Sequence, residues 1–287
     1  MAALEPRRFA WPSQPGWMEG VLTITTLNTN GLRAAMRKGM DSWLKAAAPD
    51  VLCLQEVRAP DDVLADLVKD RELHGQASQI KGRAGVAIAS LLPIEATKTG
   101  LAELEGEVHT GRWVEARLKD PDLTVVCVYV HSGEVGTIRQ DQKMTFLEEM
   151  TSRLKELIDS GRDVLVCGDI NVAHTKADIK NWRGNLKRSG FLPEEREFLT
   201  HWFEDQGWID LARHLHGEVD GPYTWWSWRG RAFDNDTGWR IDYQLATPSL
   251  AAKALDCRVE RADSYDSRWS DHAPLTVDFD LPGVQPA

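Results

Sequence analysis

Apolar residues recur along the chain with two different periods. Alternating β-branched residues in VLTITTLN, beginning at Val21, predict a first strand. Further strands are predicted for VLCLQ (51–55), AGVAIAS (84–90), RWVEARL (112–118), LTVVCVYV (123–130), VLVCGDI (164–170), RIDYQLA (240–246) and APLTVDFDL (273–281). A helical period governs Ile138–Ser160, where Met144, Leu147, Met150, Leu154, Leu157 and Ile158 fall at spacings of three and four. Thr137 and Gln140 form a capping-box pattern before it, and Gly161 stands where helices stop. A second helix is expected from Pro193 to Gln206, with proline in its first turn and Gly207 behind it. The first 18 residues hold three prolines and no period, and no linker or repeat divides the rest. The pattern therefore predicts a loose leader (1–20), a single α/β domain (21–281) and a short tail (282–287).

Composition narrows the class without deciding it. With 287 residues, 42% hydrophobic and 27% charged, the chain is long enough to bury a large core, and its balance excludes collagen-like, heptad and largely disordered types. No apolar run has the length of a signal peptide or membrane span, so a cytoplasmic protein is expected. The four cysteines are dispersed, three of them inside apolar strands, and read as buried reduced thiols. Without a Cys/His cluster, any metal must be held by hard oxygen ligands. The 34 Lys and Arg against 44 Asp and Glu leave a net charge of −10, which argues against a generic polyanion binder.

Several strands end in polar residues that a strand does not need. The first runs into Asn28-Thr29-Asn30-Gly31, the second into Glu56, and later ones into Tyr129 and His131, Asp169 and Asn171, Asp242, and Asp271-His272. Each has a bland alternative. Asn30-Gly31 and Asp169-Ile170-Asn171 are turn signals, Glu56 could merely end a strand, Asp271 could cap a helix, and Tyr129 could be core. Together, carboxylates from different strands meeting at one edge would make a divalent-metal site.

In order and spacing, LNTNGLR, LQEVR, VYVHSG, GDINVAHT, GWRIDY and SDHAP resemble the exonuclease III family of abasic-site endonucleases, within the endonuclease/exonuclease/phosphatase superfamily. The resemblance spans Val21 to Leu281 and includes APDVLCLQE and the GNLKRSGFLPEERE segment at 184–197. It implies a four-layered α/β sandwich, two packed mixed β-sheets flanked by helices, with a phosphodiesterase site at one edge. By the family pattern Glu56 would bind Mg²⁺ or Mn²⁺, with Asn30 and Asp271 near the metal and Asn28 bracing them. Asp169 would orient or deprotonate the attacking water, Asn171 would hold a phosphate oxygen, and Tyr129 would assist the transition state or leaving oxygen. His272, oriented by Asp242, would contact the scissile phosphate. Such roles suit phosphodiester hydrolysis, which needs a placed water, neutralised oxygens and a stabilised leaving group.

Net acidity then has to be met locally. Lys176, Lys180, Arg183, Lys187 and Arg188 lie within 176–190 against one acid, Asp178; Arg33, Arg37 and Lys38 follow the first motif, Lys81 and Arg83 precede a strand, and Arg229, Arg231 and Arg240 sit near a tryptophan cluster. Of these, Arg33, Arg83, Lys176, Lys187, Arg188 and Arg229, together with Asn185 of the GNLKRSGF run, are the expected DNA contacts. Four of the 12 Trp fall between 225 and 239. The resemblance assigns Trp225, Trp239 and Ile241 to a pocket for a flipped-out abasic sugar. Two positions depart from the pattern: Arg83 replaces an aromatic or imidazole, and His131-Ser132 replaces Pro-Asn or Pro-Gln. The expectation is a Mg²⁺-dependent DNA-repair nuclease that cuts 5′ to abasic sites, with 3′→5′ exonuclease and 3′-phosphatase or phosphodiesterase activity. Its substrate would be duplex DNA with abasic sites or blocked 3′ ends, and it would act as a monomer without membrane or obligate protein partner. The alternatives are a superfamily phosphatase or phosphodiesterase for non-DNA phosphoesters and a DNA-binding module with a degenerate site.

Overall fold

Strands that read as unbroken apolar runs are covered on both faces. A computed structural model describes residues 20–101, 104 and 106–283; the expected leader and tail lie outside them, apart from Gly20 and 282–283. In chain order the elements are β1 (Val21–Asn28), α1 (Leu32–Ala35), α2 (Asp41–Ala47), β2 (Val51–Gln55), α3 (Asp61–Leu67), β3 (Glu72–Gln76), β4 (Val86–Ser90), β5 (Ile94–Thr99), β6 (Trp113–Leu118) and β7 (Leu123–Tyr129). There follow α4 (Ile138–Asp159), β8 (Asp163–Asp169), α5 (Trp182–Asn185), α6 (Pro193–Thr200), β9 (Ile209–Asp210), α7 (Leu211–His216), β10 (Asp242–Ala246), α8 (Pro248–Ala251), β11 (Ala254–Val259) and β12 (Leu275–Asp280).

The strands form two six-stranded sheets, ordered β11-β12-β1-β2-β4-β3 and β5-β6-β7-β8-β10-β9. Both are mixed: β1–β2 and β7–β8 pair in parallel, and the remaining pairs are antiparallel. Between the sheets lies one apolar layer, in which Leu22, Ile24, Val51, Cys53 and Ile88 face Val125, Cys127, Leu165 and Cys167. Outside one sheet, Phe146, Leu147, Met150 and Leu154 of α4 cover Val126, Val128, Val164 and Val166. Outside the other, Leu32, Met40 and Leu64 cover Leu27, Leu52, Leu54 and Ala89. The four-layered sandwich is therefore built by strands that bury alternate side chains in two different cores. Cys53, Cys127, Cys167 and Cys257 are buried free thiols. Among the described residues, no helix is long and apolar enough to cross a membrane.

Local signals held with small corrections. The long helix begins at Thr137, whose hydroxyl accepts from Arg139 N at 3.3 Å. Gln140 does not close a capping box; its amide donates to Glu195 Oε1 at 2.9 Å. The second helix is regular to Thr200 and then widens into a π turn over His201–Asp205, ending at Gly207 with φ 87°.

The two parallel pairs decide where chemistry can happen. Their registers bring Asn28 opposite Gln55, and Tyr129 opposite Asp169, so both pairs finish at the same edge. Asp242 at the start of antiparallel β10 pairs with Asp169 and joins them there. Gly168, at φ 151°, lets β8 run hard against β7, since a Cβ there would collide with the Val128 carbonyl.

Candidate active site

At that edge, one side chain ties the sheets together. The Asn28 amide donates to Glu56 Oε1 at 2.9 Å and to Asp169 Oδ2 at 2.8 Å, so a β1 residue holds carboxylates from both sheets. Asn28 Oδ1 accepts from Asn30 N at 3.0 Å, and Asn30 Nδ2 donates to Asp271 Oδ1 at 2.8 Å. The other Asp271 oxygen accepts from Trp225 Nε1 at 3.1 Å. Asn30, Glu56 and Asn171 adopt left-handed backbones, with φ of 48°, 46° and 54°. Non-glycine residues in that region cost energy, of order 1–3 kcal/mol each, and such strain gathers at functional edges.

Asp169 is buried beneath this surface. Its Oδ1 accepts from Asn171 N at 2.9 Å, and its Oδ2 also accepts from Asn171 Nδ2 at 3.0 Å. His272 Nδ1 lies 2.8 Å from Asp242 Oδ2, which leaves Nε2 3.8 Å from Asp169 Oδ2. Burial alone would push the His272 imidazole down, but the charges of Asp242 and then Asp169 raise it to about 10. It is an imidazolium at neutral pH. Burial, reinforced by Asp242 and Glu56, pushes Asp169 well above the usual carboxylate range against the pull of His272. Burial with Glu56 and Asp169 likewise keeps the Tyr129 phenol protonated, well above its ordinary 10.

Asp169, Asp242 and His272 bring ligand-capable atoms within 4.8 Å of one another, a group able to hold a metal ion. The bonding within this trio refines that picture, because a His272 already given to Asp242 and carrying charge suits an anion beside it. The oxygen-rich, thiol-free remainder, Glu56 with Asp169 and Asp271 around the Asn28 and Asn30 amides, fits a hard divalent cation. Its negative field is met from outside by Arg58, which donates to Glu56 Oε2.

The profile of the Endonuclease/Exonuclease/phosphatase family matches residues 25–272. The chain belongs to that family. It is 35% identical over 258 residues to an exodeoxyribonuclease of Bacillus subtilis, covering 89% of this chain and 98% of that one. It is 33% identical over 262 residues to the DNA repair nuclease APEX1 of Danio rerio, covering 89% and 81%. Its fold superposes on an AP endonuclease from Archaeoglobus fulgidus with a TM-score of 0.80 at 30% identity, covering 91% of this chain and 100% of that one. It also superposes on the 3′ phosphatase NExo from Neisseria, bound to a product DNA hairpin, with a TM-score of 0.81 at 28% identity over the same shares.

Around the family site, the structure sorts the expected DNA contacts. Arg33, Arg83, Lys176, Lys187, Arg188 and Arg229 are exposed, and Asn185 is half-buried with its amide on Asn181 O at 2.9 Å. Arg33 shares a shallow groove with Arg37 and Arg58. Trp182 organises the basic loop, with Lys176 Nζ 4.6 Å and Arg183 4.2 Å from its ring. Arg240 leaves the basic surface: it is 1% exposed and paired with Asp178 at 2.6 Å and Asp210 at 2.8 Å. Asp178 is buried too, and its arginines overcome burial to hold it down at about 2. The strip from 176 to 190 thus shows no exposed acid.

Trp225 and Trp239 meet edge to face at 6.0 Å, over Ala173, Ile179, Phe191 and Ile241, with Trp182 beside them. Trp226 packs in a separate cluster with Phe233. Sequence reasoning missed Trp182 and also Arg112, a 6% exposed guanidinium 5.2 Å from the Tyr129 ring. Arg112 carries no motif, only a charge at the start of an apolar strand. His131 turns inward, and burial with Arg112 drops it to about 3, so it is neutral.

Proposed function

We propose that this family member is a metal-dependent DNA-repair nuclease that hydrolyses the phosphodiester 5′ to abasic sites, with 3′→5′ exonuclease and 3′-phosphatase or phosphodiesterase activity. The observation that carries the reading is Asn28 gathering Glu56 and Asp169 beside the Asp242–His272 pair, with the Trp225–Trp239 pocket bonded to the same edge through Asp271. The activities of the relatives, exodeoxyribonuclease, DNA repair nuclease, AP endonuclease and 3′ phosphatase, support it.

Glu56, with Asn30 and Asp271 close by, would hold Mg²⁺ or Mn²⁺, and the cation when bound supplies charge neutralisation on a phosphate oxygen. The Asn171 amide, turned from Asp169 Oδ2 toward the phosphate, and the His272 imidazolium hold the other non-bridging oxygen. Asp169 orients water and accepts its proton as the oxygen attacks phosphorus. The bond from phosphorus to the upstream 3′ oxygen breaks, and the Tyr129 hydroxyl donates toward that oxygen, leaving a 3′-hydroxyl. Trp225, Trp239 and Ile241 exclude a sugar that still carries its base and admit an abasic one. Arg33, Arg83, Lys176, Asn185, Lys187, Arg188 and Arg229 grip the duplex backbone. The four buried free thiols support a reducing compartment, the cytoplasm, with DNA as the partner.

Incubation with a duplex carrying one abasic analogue, beside inositol phosphate and sphingomyelin, decides the reading. We expect incision with Mg²⁺, none in chelator, and none by an Asp169→Asn variant that still binds the duplex. Hydrolysis of the non-DNA esters alone, or incision in chelator, would sink it.

A further inference from the structure

The GNLKRSGFLPEERE segment (184–197) contains a glutamate, Glu195, that the chemistry above leaves unused. Glu195 of α6 and Lys143 of α4 form an ion pair at 2.8 Å, and both side chains have no solvent exposure. Lys143 Nζ reaches on to the Asn171 carbonyl at 2.9 Å and to Ser189 Oγ at 3.4 Å. Glu195 Oε1 also takes Gln140 Nε2 at 2.9 Å and Ser189 Oγ at 2.7 Å. Its Oε2 takes the backbone N–H groups of Gly190 at 2.5 Å and Leu192 at 3.2 Å. The pair therefore grips both ends of the basic loop. Ala173 N closes the base of that loop on Gly190 O at 2.8 Å.

Each grip leads to a different part of the site. Asn171 has a left-handed backbone, φ 54°, and a carbonyl bonded to Lys143 resists its relaxation. Gly190 lies so close to Trp239 that a Cβ would stand 3.0 Å from the indole ring and 3.2 Å from the Asn171 carbonyl. A buried ion pair is a poor way to gain stability, since apolar residues of similar volume often do as well or better. Its geometry here accounts for it instead.

We propose that Lys143 and Glu195 are a positioning pair that fixes, through Asn171 and Gly190, the separation between the phosphate-holding edge and the Trp239 wall of the lesion pocket. The inference rests on the nuclease reading for its effect on turnover, and on geometry alone for its effect on the loop. Neither residue touches substrate; a displacement of about 1 Å at Asn171 is enough to cost on the order of 100-fold in rate.

The test combines a Lys143→Met/Glu195→Met double variant with Glu195→Gln, which keeps an acceptor for Gly190 and Leu192 but turns an amide toward Lys143. The double variant should melt below the wild-type temperature, because Gly190 N, Leu192 N and Asn171 O lose buried partners, while amide hydrogen exchange quickens most at 171–173 and 189–192. On an abasic duplex its kcat should fall about 10- to 100-fold with KM changed less than about 3-fold. Glu195→Gln should quicken exchange at 171–173 more than at 189–192 and show the same loss confined to kcat, which keeps the test open if the double variant does not fold. Wild-type exchange in either folded variant, or a kcat within about 3-fold of wild type, overturns the proposal. A wild-type enzyme that does not incise would sink the nuclease reading alone, since the exchange measurements stand without it.

Discussion

His272 shows how one residue carries a pH dependence in two currents. Its folded-state value of about 10 lies above the ordinary 6.5, so its contribution to stability is complete below about pH 6.5 and fades as pH climbs toward 10. The imidazolium proposed to stand beside phosphate is lost over the same upper range. In Asp242→Asn the leading cause of the raised value is gone, and the alkaline limb of the kcat/KM profile should move from near pH 10 toward neutrality. An unmoved limb would show that the phosphate is held without His272. At this scale the sequence was most legible where a polar residue ended an apolar strand, as at Asn28, Glu56, Asp169 and Asp242. Arg112, Lys143 and Glu195 were not legible, because a buried charge is recognised by its partner: Arg112 meets the Tyr129 ring of another strand, and Lys143 meets Asn171 and Glu195 at separations of 28 and 52 residues.

Among elements, legibility followed position in the sheet. The interior strands were read from their apolar runs, whereas β3, β5, β9 and β11 were missed, and those four are the edges of the two sheets. An edge strand faces water along one side and carries charge, as in IEATKT and ALDCRV, so its pattern loses contrast. The tryptophan segment was read as a binding loop, and the structure divides it between a wall at Trp225 and Trp239 and a small separate core at Trp226. Trp239→Ala should therefore weaken the preference for abasic over intact duplex, by about 10-fold or more, and lower the melting temperature because the indole also covers Ile179, Phe191 and Ile241. Competition incision assays with both duplexes measure it, and unchanged selectivity would remove Trp239 from the pocket.

For the whole molecule, a net charge of −10 coexists with a basic track whose own acid, Asp178, is buried and paired. Asp178 and Asp210 are buried against Arg240, and Glu195 against Lys143. The exposed candidates Arg33, Arg83, Lys176, Lys187, Arg188 and Arg229 remain to face DNA. If each meets one phosphate, the logarithm of duplex affinity should fall with the logarithm of salt at a slope of about −5, and Lys187→Ala should lower that slope by about 1. Fluorescence anisotropy over a salt series reads both; a slope near zero would place the duplex elsewhere.

The amide of Asn28, bonded at once to Glu56 on one sheet and Asp169 on the other, makes the proposed reaction centre a seam. Any slip of one sheet over its partner opens that seam before a single catalytic group is altered. The apolar layer that fixes their alignment, including Cys53, Cys127 and Leu165, would therefore serve the proposed reaction as much as the fold. A methylene added or lost there would be felt as turnover, in a protein that still melts as one piece.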